Sequence, residues 1–266
     1  MELEIYVVDA FTDTNFKGNS AAVIPINDWL DDELMQNIAA ENNLSETAFI
    51  KAIGINQYEI RWFSPLTEID FCGHATLAAS FVLFNHLGCD GELEFLTTKV
   101  GKLQVTQLTD MRIQMSFPNL APSPIEVVPE DLYEGLSIKP QSVLKSEQAY
   151  FAVMASADEV KDIQYQSETL KRLAPFDVVV TAKADDDSQH DFISRYFWPA
   201  NGGDEDPVTG SIHAGLAPYW SSILNKTALV AQQASMRSGV LYCQIDNDRV
   251  LVSGYGALYL LGTIYV

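Results

Sequence analysis

Basic residues are scarce in this chain of 266 residues: 16 lysines and arginines stand against 36 acids, a formal charge of −20. A basic stripe able to neutralise a phosphate backbone is missing, which excludes nucleic acid as a partner. No apolar run approaches the roughly 20 residues that cross a bilayer as a helix. The N-terminus, M-E-L-E-I-Y-V-V-D-A-F, has no basic segment or cleavage site and reads as a strand with alternating faces. These absences predict a cytoplasmic protein with no membrane partner. Cysteine is limited to Cys72, Cys89 and Cys243, an odd number at irregular spacing that fits reduced thiols better than a disulfide framework. The histidines, His74, His86, His190 and His213, show no zinc spacing with them. Neither a G-x-x-x-x-G-K loop nor a dinucleotide fingerprint occurs, and Ser253-Gly254 lacks the setting of a nucleophile elbow. No cofactor or metal is implied.

What the chain does have is a core-forming composition, 47% apolar, and a sequence that repeats. R-W-F-S-P from Arg61 returns as R-Y-F-W-P from Arg195. Each copy runs through an acidic loop into a glycine, Gly73 or Gly210, that opens a small-residue helix pattern. K-V-G-K-L from Lys99 matches R-S-G-V-L from Arg237, and R-I-Q-M from Arg112 matches R-V-L-V from Arg249. The offsets, 195 − 61 = 134, 210 − 73 = 137, 239 − 101 = 138 and 249 − 112 = 137, order four anchors collinearly. Such order indicates duplication into two halves of about 130 residues. The first half covers 1–118 together with a terminal strand at about 256–266, and the second covers 122–255. The proline-rich F-P-N-L-A-P-S-P from Phe117 links them.

Strand patterns occupy I-Y-V-V-D-A-F, A-A-V-I-P-I, E-T-A-F-I and Y-E-I-R-W-F, with a turn at N-F-K-G-N-S. A helix is expected over Trp29–Asn42, capped by Asp28. A second helix starts at Gly73, carries Leu77, Phe81, Leu83, Phe84 and Leu87, and stops at Gly88. It is apolar nearly all round, which places it inside a wrapping sheet. Its counterpart starts at Gly210 and contains Pro218, which removes one ladder bond.

Paired helix starts present unsatisfied N–H groups and a positive dipole end, a ready seat for a carboxylate, and glycine lets the ligand approach closely. Glu46, in N-L-S-E-T-A-F, begins an otherwise apolar strand, where such surroundings would raise a carboxyl pKa into the range useful for proton transfer. Carrying the 134 offset back to this strand sets Glu46 opposite Val180, so one half alone supplies an acid there.

Together V-D-A-F-T-D-T-N-F-K-G-N-S-A-A-V, N-L-S-E-T-A-F, D-F-C-G-H-A-T-L-A-A and G-D-E-D-P-V-T-G-S resemble the PhzF-like proteins of phenazine biosynthesis, relatives of diaminopimelate epimerase. The resemblance spans the whole chain. It implies an α+β fold of two pseudo-repeated halves, each a curled, barrel-like mixed sheet around a central helix, with a site in the cleft between them. It makes Glu46 the general acid/base, and carries over His74, Asp206 and Ser211 as residues that orient the substrate or the proton-shuttling carboxyl. Gly73, Gly210 and neighbouring N–H groups would hold the substrate's carboxylate, with Gly18, Asn19 and Cys72 bordering the cleft. A homodimer is also implied.

The epimerase branch resembles a two-thiol design with a cysteine before each helix glycine. Here Cys72 holds the first position and Thr209 the second. A threonine hydroxyl is far too weak an acid to replace a thiolate, which excludes racemisation by two opposed thiols. The expected function is a cofactor-independent isomerase that moves a proton between carbons of a small carboxylated metabolite. Two alternatives remain open on the sequence: epimerase-like chemistry using Cys72, and a binding or scaffold protein without turnover.

Overall fold

Alternating and continuous apolar runs of β-branched residues set the strands that open the chain. In the computed structural model, which describes residues 1–266, these are β1 (Glu2–Ala10) and β2 (Asn19–Ile26), followed by α1 (Asp32–Asn42), β3 (Glu46–Gly54), β4 (Gln57–Phe63) and the short β5 (Glu68–Ile69). Next come α2 (Gly73–Asn85), β6 (Leu93–Leu96), β7 (Lys102–Gln107) and β8 (Ile113–Pro118). Contacts divide the chain into one unit of Met1–Ser116 with Ser253–Val266 and another of Phe117–Val252.

In the first unit β1 pairs antiparallel with β2, β2 parallel with β3, β3 antiparallel with β4, β4 parallel with β6, and β6 and β7 continue antiparallel. The last strand of the chain, Gly256–Tyr265, pairs antiparallel with the outer side of β1. This mixed sheet wraps α2, which packs on β1, β2 and β3 and buries Ala75, Leu77, Ala78, Ala79, Val82 and Leu83. Only small residues in its first turns allow strands to approach from several sides. A separate apolar cluster joins Met35 and Ile38 of α1 to Ile24, Phe49 and Phe63.

The second unit contains β9 (Ser123–Pro124), α3 (Glu130–Gly135), β10 (Ser142–Lys145), β11 (Ala149–Val153), α4 (Ala157–Asp162) and α5 (Ser167–Leu170). It continues through β12 (Asp177–Lys183), β13 (Phe192–Phe197), β14 (Glu205–Asp206), α6 (His213–Leu224), β15 (Ala228–Gln233), β16 (Gly239–Asp246) and β17 (Arg249–Gly254), before the terminal strand, β18. Its pairings run in the same senses: β11 parallel with β12, β12 antiparallel with β13, β13 parallel with β15, β15 antiparallel with β16.

The repeated arginine is a clamp at the same place in each unit. Arg61 Nη2 lies 2.6 Å from Glu68 Oε2, and Arg195 Nε 2.7 Å from Glu205 Oε1, tying β4 to β5 and β13 to β14. Each clamp fixes the turn that leads towards a buried helix.

Three sequence expectations shift. The first helix begins at Asp32 rather than Trp29, and Asp31, not Asp28, stands at its N-cap; Trp29 instead donates its indole N–H to Glu59 at 2.8 Å, which holds it outside the helix. The helix after Gly210 begins at His213, because His213, Ala214 and Gly215 bond back three residues to Gly210, Ser211 and Ile212, a tighter turn than the α-helix. Finally, Glu46 is not opposite Val180. Phe49 pairs with Arg61 and Val180 with Arg195, so on this strand the offset is 180 − 49 = 131, and 46 + 131 = 177 makes Asp177 the counterpart of Glu46. The parallel neighbours agree: Ala21 faces Glu46 and Ala149 faces Asp177. The acidic loop between β12 and β13 carries three more residues than the β3–β4 turn (195 − 180 = 15 against 61 − 49 = 12).

Candidate active site

Glu46 heads β3 at 8% exposure, set among apolar side chains by the strand's own pattern. Across from it α2 begins. Its first turn is buried because glycine, alanine and threonine let the sheet close over it, and that brings His74 Nε2 to 2.8 Å from Glu46 Oε2. The other ring nitrogen, Nδ1, meets Asn19 Nδ2 at 3.2 Å, and Ser45 donates to Asn19 Oδ1 at 3.0 Å. Asn19, fully buried, therefore holds the imidazole.

Gly18 has φ +64, and a Cβ there would sit 2.1 Å from the Ala10 carbonyl oxygen, so only glycine delivers Asn19 to this place. Asp9, a buried acid in β1, accepts from Phe16 N at 3.0 Å and from Ser20 Oγ, closing the same β1–β2 turn.

Cys72 is the N-cap of α2: its sulfur accepts from Ala75 N at 3.5 Å and lies 3.4 Å from His74 Nδ1. Burial first, and then the charge of Glu46, push its thiol up to about 11, so it is neutral at pH 7. Burial pulls His74 down, but its neighbours outweigh this and hold the imidazole well above its ordinary value. The neighbours that raise it are the Cys72 sulfur first and the Glu46 carboxyl second.

Of the first N–H groups of α2, Ala75 bonds Cys72 Sγ and Thr76 bonds the Cys72 carbonyl at 3.1 Å; those of Gly73 and His74 have no partner within the helix. Gly73 is not among the positive-φ glycines, and neither is Gly210, so their lack of a side chain rather than a left-handed backbone is what these positions use. Donor atoms of Glu46, Cys72 and His74 lie within 4.8 Å of one another, compact enough for a metal ion.

The second unit groups Asp206, Gly210 and Ser211. Asp206 accepts from the Thr209 hydroxyl, while Gln233 accepts from Thr209 N at 2.8 Å and donates to the Asp206 carbonyl at 2.8 Å. Ser211 Oγ accepts from Gln148 Nε2 at 3.0 Å; the same amide nitrogen donates to Tyr196 OH at 3.0 Å, which donates to Asp177 Oδ2 at 2.6 Å. Asn201 donates to the other carboxylate oxygen at 2.8 Å. Burial raises Asp177 against the lowering effect of these two bonds.

Sequence reasoning thus missed Asp9, Gln148, Asp177, Tyr196, Asn201 and Gln233. The signal for Asp9 and Asp177 was an acid inside or heading an apolar strand. Gln148, Asn201 and Gln233 carry no such mark.

The PhzC-PhzF family model, described as phenazine biosynthesis-like protein, matches residues 8–262. An uncharacterized isomerase of Pseudomonas aeruginosa is 44% identical over 267 residues, covering 100% of both chains. A crystal structure of a PhzF-family phenazine biosynthesis protein from Enterococcus faecalis superposes with a TM-score of 0.94 at 41% identity, covering 100% of both chains. A Pseudomonas aeruginosa protein described as a predicted epimerase shares the fold alone, with a TM-score of 0.76 at 20% identity over 99% of both chains. No helix is long and apolar enough to cross a membrane. With motifs, strand order and whole-length similarity in agreement, the chain belongs to the PhzC-PhzF family of phenazine biosynthesis-like proteins.

Proposed function

We propose that the protein is an isomerase that moves a proton between two carbons of a small carboxylated metabolite, with Glu46 as the general acid/base. The observation that carries this reading is the buried 2.8 Å contact between Glu46 and His74, whose imidazole is held above its ordinary value. The imidazole occupies one carboxylate oxygen and fixes the orientation of the other. The free oxygen takes a proton from a carbon activated by conjugation to the substrate's carboxylate. Glu46 then returns that proton to a second carbon of the same conjugated system, so nothing is oxidised or reduced.

The family resemblance further assigns Gly73, Gly210 and Ser211 to the substrate's carboxylate, and Asp206, with His74, to orienting the substrate or the proton-shuttling carboxyl. No step in this scheme uses a cofactor. The same reading takes the protein as a homodimer, which light scattering tests.

A thermal-shift screen of small cyclic and amino carboxylates, benzoate, anthranilate and proline among them, followed by NMR of each hit in deuterated water, tests the function. Deuterium entering a carbon position supports it. Tight binding with no exchange into any hit contradicts it and favours a binding protein.

A further inference from the structure

Strand register makes Asp177 the counterpart of Glu46, and the 137 offset makes Ser211 the counterpart of His74 (74 + 137 = 211). In both repeats a buried acid, each 8% exposed, is tied to the residue that follows the helix glycine. The link is direct in the first, at 2.8 Å. In the second it is bridged, running from Asp177 through Tyr196 and Gln148 to Ser211.

We infer that Asp177, Tyr196 and Gln148 are positioning residues that fix the Ser211 hydroxyl as a hydrogen-bond donor to the substrate's carboxylate. The inference rests on the reading of Ser211 as a substrate-binding residue.

The direction of each bond follows from donor chemistry. A carboxylate can only accept, so Tyr196 spends its proton on Asp177 and its oxygen must accept. Burial and the neighbouring charge of Asp177 hold the phenol well above its ordinary value, so that proton stays in place. Gln148 therefore presents its NH2 group, one hydrogen to Tyr196 and the other to Ser211. With a lone pair of Ser211 taken, its own proton is available to donate to a ligand. The repeat has thus used its second buried acid to orient a hydroxyl, locking it between Tyr196 and Asn201.

The test measures benzoate and anthranilate affinity by calorimetry for Ser211→Ala, Tyr196→Phe, Gln148→Leu and the doubles that combine Ser211→Ala with each of the others. One hydrogen bond to a charged group corresponds to about a tenfold change in affinity. Each single variant is expected to lose about that much, and each double to lose no more than Ser211→Ala alone. Gln148 lies half-buried in a turn, so its variant repeats the test away from the core. Losses that multiply in the doubles would show separate structural effects and overturn the inference, as would Tyr196→Phe and Gln148→Leu binding like the unaltered protein while Ser211→Ala does not. If neither probe binds, or Ser211→Ala has no effect, the reading of Ser211 fails and takes the inference with it. Deuterium exchange through Glu46 is decided independently.

Discussion

Cys72 and His213 show how burial decides what a titratable side chain does. The Cys72 thiol, raised to about 11, has no useful thiolate fraction at neutral pH, and its sulfur instead caps α2. Cys72→Ala should retain proton exchange while losing about 1 kcal/mol of stability, the usual worth of a cap, and Cys72→Ser should recover the loss. Abolished exchange in both variants would restore the epimerase-like alternative.

His213 is fully buried, with Nδ1 2.9 Å from the Thr209 carbonyl, and burial lowers it to about 4. Its folded value lies below its unfolded value of about 6.5, so its contribution is complete above pH 6.5 and is lost as pH falls to about 4. The loss amounts to roughly 3 kcal/mol. Denaturant titrations across that window should show a smaller decline for His213→Leu than for the unaltered protein. His74, raised instead of lowered, works in the opposite sense: its contribution is complete below about pH 6.5 and disappears as pH rises through its higher folded value.

Among the elements, the turn between β1 and β2 is the most exacting. Gly18→Ala forces a Cβ to 2.1 Å from a backbone oxygen at φ +64, and nearby strands leave no room to relax. It should cost more than about 1 kcal/mol in urea unfolding and displace Asn19, so proton exchange should fall further than stability does. Equal losses would mean that Asn19 does not position His74.

The first four strands and the buried character of α2 were legible from residue type and periodicity, since both follow from local pattern. The starts of α1 and α6 were less so. Trp29 is apolar and periodic, yet its indole bonds Glu59; the turn after Gly210 winds tighter than a helix before His213. Neither fact has a local sequence mark. The Glu46 counterpart was missed because a constant offset was carried across a hairpin whose loop is three residues longer in the second copy, and only hydrogen-bond register locates that insertion.

On the scale of the whole molecule, 36 acids against 16 bases repel the anionic ligand that the helix starts and Ser211 are proposed to hold. Raising ionic strength from 0.01 to 0.15 M shortens the screening length from about 30 to about 8 Å. Stopped-flow association of a carboxylate hit should therefore speed up with salt, the reverse of steered binding. A slower association would place an unrecognised positive field at the site.

The repeat that organises the sequence is also what makes the chemistry visible. Each copy supplies an arginine clamp, a buried helix and a buried acid, and the copies differ in what the acid touches: an imidazole at Glu46, a phenol and an amide at Asp177. Glu46 alone is proposed to carry the proton. Deuterium incorporation into a bound carboxylate, followed by NMR for the unaltered protein, Glu46→Gln and Asp177→Asn, tests it most directly. Exchange is expected to be abolished in Glu46→Gln with the ligand still bound, and retained in Asp177→Asn at ligand concentrations that saturate its weaker site; exchange that persists in Glu46→Gln would overturn Glu46 as the general acid/base.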